Sequence, residues 1–235
     1  MITILIPILN EKNNINILCS KILLNKNLEK IIYKIIFIDD NSNDGSINEL
    51  NKMSDKYKKV NFIIRKDKKN DLTQSILLGL KKVNSEYVCV MDGDLQHDIN
   101  AIPKFYKIIN NNDYDLIIGS RYIKNNTLNK LRFYRKIFSK IGTIFIKFLR
   151  IKNISDPLSG FFLIRTSVFK SVDSKIITNG YKILITILIL LKNEIKFKEI
   201  QINFYKRKYG FSKLNIKVIY NFIKQIFLLL LISRK

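Results

Sequence analysis

The chain has 235 residues, 47% of them hydrophobic, which is enough for one large domain or two small ones with a sizeable core and excludes a disordered chain. A formal net charge of +23 excludes indifference to polyanions and leaves nucleic acid, an acidic membrane surface and phosphorylated substrates as candidate partners. No stretch reaches the ~20 apolar residues of a spanning helix, and Pro7 with Asn10-Glu11 cuts the first apolar run short of a signal peptide. A cytoplasmic chain with at most peripheral membrane contact is expected. Cys19 and Cys89 lie in apolar segments and read as reduced, buried small side chains.

In chain order, Ile2–Ile6 is a β-branched run closed by Pro7, and Ile15, Leu18 and Ile22 then repeat at helical spacing between Asn10 and Leu24. Ile31–Ile38 repeats the strand signal and enters Asp39-Asp40-Asn41-Ser42-Asn43-Asp44-Gly45-Ser46, a loop of cap and turn residues from which a helix begins near Ser46. Val60–Ile64 is a third strand, Asp71 opens a helix through Leu80, Tyr87–Met91 is a fourth strand, and a helix at Ile102–Ile109 precedes a fifth strand at Leu116–Ile118. Strands alternating with helices predict an α/β domain with a mostly parallel sheet, and the near-continuous apolar strands predict burial on both faces. Beyond the polar segment 123–129, Leu131–Leu149 reads as a basic amphipathic helix, Asp156–Gly160 as a turn, Phe161–Ile164 as a strand, Gly180–Leu191 as an apolar helix and Ile195–Tyr205 as an alternating strand. Ile216–Ile232 is a final helix whose lysines and apolar face suit an anionic membrane interface, the protein core or a membrane-anchoring subunit equally.

Met91-Asp92-Gly93-Asp94-Leu95-Gln96-His97 follows the fourth strand, at the sheet edge where open α/β sheets bind ligands. Asp92 and Asp94 fall on one face of extended chain and could converge on a hard cation, Mg²⁺ or Mn²⁺, with Gln96 as a further oxygen ligand. The same residues also suit a solvated turn.

The ordered set of segments resembles family 2 glycosyltransferases of the GT-A fold, and within them the dolichyl- or polyprenyl-phosphate mannosyltransferases. It consists of Ile6–Glu11, Ile38–Ser46, Met91–His97, Ile118–Tyr122, Asp156–Phe161 and Arg207–Leu214. The resemblance implies a GT-A, Rossmann-like catalytic domain over 1–213, with a nucleotide-binding half near 1–122 and an acceptor-binding half near 123–213. The residues themselves add the expectation of a C-terminal amphipathic helix over 214–235 that associates with a membrane or a partner, and of no spanning helix. The implied donor site comprises Pro7, Asn10, Glu11, Asp39 or Asp40, Asp92, Arg207 and Lys213, with Asp92, Asp94 and Gln96 as metal ligands. Arg121, Arg135 and Ser139 match acceptor-phosphate positions, and Asp94, Asp156 and Arg121 are the implied catalytic residues. The implied reaction is metal-dependent, inverting transfer of mannose from GDP-mannose to a polyprenyl phosphate at the cytosolic face of a membrane, with no nucleic acid partner; the alternatives are glucose or another hexose from a UDP-sugar to the same lipid, or sugar transfer to a glycan. A basic nucleic-acid-binding protein is the competing class. His97 is expected to serve loop structure. The chain departs from the family pattern at Ile8-Leu9, Thr186, Phe162 and Gly93, the last read as a harmless gain of flexibility where Ala is usual.

Overall fold

The computed structural model describes residues 1–66, 71–122, 154–176, 182–191 and 194–210. Strands β1 (Ile2–Ile8), β2 (Ile32–Asp39), β3 (Val60–Ile64) and β4 (Tyr87–Val90) alternate with helices α1 (Lys12–Leu23), α2 (Lys26–Glu29), α3 (Ser46–Lys56) and α4 (Leu72–Leu80). Helix α5 (Ile102–Asn111) and strand β5 (Leu116–Ser120) follow, and then β6 (Phe162–Arg165), α6 (Thr166–Val172), α7 (Ile183–Leu190) and β7 (Phe197–Gln201). The seven strands form one sheet in the order β3-β2-β1-β4-β6-β5-β7. All neighbours are parallel except β6, which runs antiparallel to both β4 and β5. The expected mostly parallel α/β sheet is therefore present as a mixed sheet, and among the described residues no helix is long and apolar enough to cross a membrane.

Alternation along the strands sends successive side chains to opposite faces, and each face has its own apolar layer. Leu5, Ile36, Ile38, Val88, Val90, Ile118 and Phe162 meet Ile76 and Leu80 of α4 and the apolar helix α7. Ile4, Ile6, Ile35, Phe37, Cys89 and Leu163 meet Ile15 and Leu18 of α1, Leu50 of α3 and Phe105 of α5 on the other face. Burial of this kind contributes about 1.5–3 kcal/mol per large side chain relative to exposure.

Contrary to the sequence expectation, Pro7 does not close β1, which continues to Ile8 with Pro7 opposite Ile38 and Ile8 opposite Asp39. The Ile8 carbonyl accepts from the Asp40 amide at 2.9 Å, so alternation turns the Pro7 nitrogen toward β4. Pairing with β4 has already ended at Leu5–Val90, so the missing N–H interrupts no ladder. The expected strand at Ile195–Tyr205 is regular only over Phe197–Gln201, with one further bridge between Phe204 and His97. The expected helices at Leu131–Leu149 and Ile216–Ile232 lie outside the described residues.

Candidate active site

The carboxyl ends of β1, β2, β4, β5 and β7 open on one edge of the sheet, and the antiparallel β6 brings its amino end, with Asp156–Phe161, to the same edge. Three residues that are not glycine turn there with positive φ: Asn10 (53°) after β1, Asn41 (65°) after β2 and Leu95 (62°) after β4. Asparagine tolerates this region. Leu95 does not, and the left-handed turn is the conformation in which the Gln96 amide reaches Asp94 Oδ1 at 3.1 Å.

Of the predicted donor residues, Asp39 and Asp40 have different surroundings although they are adjacent. Asp40 accepts from Arg65 Nε at 2.6 Å and Nη2 at 2.5 Å and from the Asp71 amide at 2.9 Å, so it ties the end of β3 to the start of α4. Asp39 is fully buried; its Oδ1 accepts from the Ser42 amide at 2.8 Å, while Oδ2 has no hydrogen-bond partner among the described residues. A buried acceptor without a donor is costly, and this one lies at the carboxyl edge of the sheet. Asn10 binds the second loop through Ser42 Oγ and the Asn43 amide. Glu11 is held by Asn14 Nδ2 at 2.6 Å and faces Arg207 Nη1 at 3.6 Å.

In the loop after β4, His97 is buried and stacked on Phe161, with centroids 5.0 Å apart and planes 10° apart. Its Nδ1 accepts from the Asp92 amide at 3.1 Å, which leaves the proton on Nε2, 3.6 Å from Asp92 Oδ2. Burial lowers the proton affinity of the ring below its ordinary value, against the pull of Asp92 and Asp94. A Cβ at Gly160 would stand 2.9 Å from Asp92 Oδ2, so glycine there leaves room for the carboxylate. Asp94 is buried, and its Oδ2 accepts from Arg207 Nη2 at 2.6 Å. Burial, then repulsion from Asp92, raises its proton affinity.

The chain after β7 runs antiparallel to this loop. Asn203 Nδ2 donates to Asp98 Oδ2, Phe204 bridges His97, the Tyr205 amide donates to the Gln96 carbonyl, and Gln96 Nε2 donates back to the Tyr205 carbonyl at 2.9 Å. Arg207 then reaches Asp94 as the next link.

Gly93 is not simply a source of flexibility. A Cβ there would come within 2.6 Å of Ile8 Cγ2, so the two departures from the family pattern, Ile8 and Gly93, fill one space together.

Of the predicted acceptor and catalytic residues, Arg121 and Asp156 form a bidentate pair, Nε to Oδ2 and Nη2 to Oδ1, both at 2.7 Å, and the Arg121 amide adds a third bond at 3.1 Å. The guanidinium lies against the rings of Tyr122 and Phe204. Asp156 holds its position through Glu199 of β7, which accepts from the Ser155 and Asp156 amides. Burial raises the proton affinity of Glu199, opposed by those two amides. Ser159 Oγ donates to the Gly119 carbonyl and serves the turn. Arg135, Ser139 and Lys213 lie outside the described residues. Sequence reading missed Arg65 and Glu199; the available signals were a cation directly after β3 and the one acid in the terminal strand Phe197–Gln201.

The donor set fits a divalent ion. Asp92 stands close enough for its charge to act on Asp94, and the Arg207 cation already faces Asp94. Among the described residues no three His, Cys, Asp or Glu side chains cluster with metal-site geometry. An ion of the Mg²⁺ type takes one or two carboxylates, the number that Asp92 and Asp94 could supply, and completes its shell with substrate phosphate and water.

The glycosyl transferase family 2 model matches residues 3–173. Dolichol-phosphate mannosyltransferase of Pyrococcus furiosus is 36% identical over 97% of this chain and 63% of its own length, so the chain spans less than two thirds of that relative. The Saccharomyces cerevisiae protein of the same name is 29% identical over 95% of this chain and 85% of its own. Glucosyl-3-phosphoglycerate synthase of Mycobacterium tuberculosis, solved with Mn²⁺ and UDP-glucose, superposes with a TM-score of 0.74 over 99% of this chain and 78% of that one, at 14% identity, a likeness of fold.

Proposed function

The chain belongs to glycosyl transferase family 2, and from that premise we propose that it transfers mannose from GDP-mannose to a polyprenyl monophosphate, dolichyl or undecaprenyl phosphate. The reaction uses Mg²⁺ or Mn²⁺, inverts the anomeric carbon and takes place peripherally at the cytosolic face of a membrane. The observation that carries this reading is the convergence, at one sheet edge, of a buried carboxylate oxygen without a donor (Asp39), a carboxylate pair faced by an arginine (Asp92, Asp94, Arg207), and a second, carboxylate-bound arginine (Arg121). These are the groups needed to read a base, hold a diphosphate and receive a phosphate nucleophile. The mannosyltransferase names of the relatives support the choice of mannose and of a polyprenyl phosphate.

In this reading Asp39 Oδ2 accepts a ring N–H of the donor base, and Glu11 and Asn10 shape the pocket floor. Asp92, Asp94 and the Gln96 amide oxygen would hold the ion, which supplies positive charge to the departing diphosphate. Arg207 exchanges part of its contact with Asp94 for a diphosphate oxygen, and Lys213 adds a second cation. Arg121, Arg135 and Ser139 hold the acceptor phosphate in line with the anomeric carbon. A phosphate monoester is already largely ionised near neutral pH, so orientation and charge stabilisation carry the rate and no strong general base is required. Attack by the phosphate oxygen forms the new C–O bond as the diphosphate oxygen leaves, which turns an α-linked donor into a β-linked product.

A second reading, hexose transfer from a UDP-sugar, is favoured by the same Asp39 oxygen, since uracil N3–H suits it as well as a guanine N–H does. A panel of GDP- and UDP-hexoses with each polyprenyl phosphate separates the two. Lipid-dependent nucleoside diphosphate release, strongest with GDP-mannose, is expected, and release with no polyprenyl phosphate in the panel would overturn the acceptor.

A further inference from the structure

Glu199 is placed to control Arg121 without touching substrate. It lies in β7 opposite Ile118 of β5, near the point where β5 delivers Ser120 and Arg121 to the site. Its Oε1 accepts from the Asp156 amide at 2.8 Å and its Oε2 from the Ser155 amide at 2.7 Å, so one carboxylate grips two successive peptide units. The same turn is joined to β5 by the Ser120–Ser155 hydroxyl contact at 2.8 Å. Asp156, 1% exposed, then fixes both the side chain and the amide of Arg121. The rings of Tyr122 and Phe204 flank the guanidinium at 5.1 and 5.5 Å. The direction in which Arg121 presents its charge is thus referred to two adjacent parallel strands: directly through β5, and through Glu199 and Asp156 from β7.

We infer that Glu199 is a positioning residue for the acceptor phosphate, acting through Asp156 on Arg121. This rests on the assignment of Arg121 to the acceptor under the proposed function. Here two charge-assisted bonds orient the peptide plane that carries Asp156, and a bidentate pair transmits that orientation to the guanidinium.

The test is a double-mutant cycle in the full chain with Glu199→Gln and Arg121→Lys, read as acceptor KM, donor KM, kcat and thermal midpoint. Glutamine keeps the shape of Glu199 but turns an N–H₂ toward one of the two amides. The expected result is an acceptor KM raised about 10-fold, with donor KM and the thermal midpoint little changed. In the Arg121→Lys background Glu199→Gln should add almost nothing, because the residue it positions is already altered. Full additivity, an unchanged acceptor KM, or a parallel loss of donor KM and thermal midpoint would overturn the inference. If Arg121→Lys alone leaves acceptor KM unchanged, the acceptor assignment itself fails and the inference falls with it. A normal Arg121 effect with no Glu199 effect overturns only the inference.

Discussion

Asp94 Oδ2 accepts a 2.6 Å bond from Arg207 Nη2 across 113 residues of sequence, with the two side chains 8% and 20% exposed. The pair joins the loop after β4 to the chain after β7. Asp94→Asn keeps the volume but removes the charge that faces both Arg207 and the proposed ion. Mn²⁺ affinity in a direct titration without substrate should fall, and kcat should fall about 10²–10³-fold. Circular dichroism should show the fold retained, and unchanged Mn²⁺ affinity would remove Asp94 from the ligand set.

Asp39 and Asp40 should separate cleanly under mutation. Arg65→Met strands the buried Asp40 carboxylate, whose partner lies at 2.5 Å, and should cost about 3–5 kcal/mol in denaturant unfolding. The double variant Arg65→Met, Asp40→Asn should recover part of that loss. Asp39→Asn keeps the Ser42 contact and should raise donor KM while leaving stability nearly unchanged. An equal stability loss at both positions would mean that Asp39 is also structural.

The shared space of Ile8 and Gly93 makes a signed prediction about two departures from the family pattern. Gly93→Ala places a methyl 2.6 Å from Ile8 Cγ2 and should destabilise by about 1–3 kcal/mol. Adding Ile8→Ala should relieve the clash, so the double variant should be more stable than the sum of the single effects predicts. Strict additivity in thermal melts would show that the two side chains do not compete.

Burial pushes the Cys19 thiol up to about 12, well above the ordinary thiol range, and raises Cys89 as well. Above pH ~9 the unfolded chain releases these protons while the folded chain keeps them, so stability contributed at lower pH is lost as pH rises through the folded values. Each thiol adds a slope of about 1.4 kcal/mol per pH unit in that window. The Cys19→Ala, Cys89→Ala variant should therefore lose less stability than the parent between pH 9 and 10.5 in urea titrations. Equal slopes would show that the thiols are not held neutral.

Strand identity was legible because β1, β2 and β4 are mostly apolar runs rich in Ile and Val, and the loops after them were legible from their carboxylates and asparagines. The antiparallel insertion of β6 between β4 and β5 was not, because Phe161–Ile164 carries no signal of direction and a long connection permits either. Asp39 and Asp40 looked interchangeable in sequence, since only tertiary contact with Arg65 and Asp71 assigns one of them to structure. The pairing of Arg121 with Asp156 was equally hidden. Both residues were legible as site candidates, but their mutual geometry depends on the β5–β6 register and on Glu199 from β7.

The most direct measurement is transfer of labelled mannose from GDP-mannose to dolichyl phosphate by the full chain with Mg²⁺, followed by isolation of the lipid product and determination of its anomeric configuration. Lipid-linked β-mannosyl phosphate, lost on chelation and in Asp94→Asn, is the predicted result. Mannose released without dependence on lipid phosphate, an α-linked product, or full transfer by Asp94→Asn would contradict metal-dependent, inverting transfer at this site.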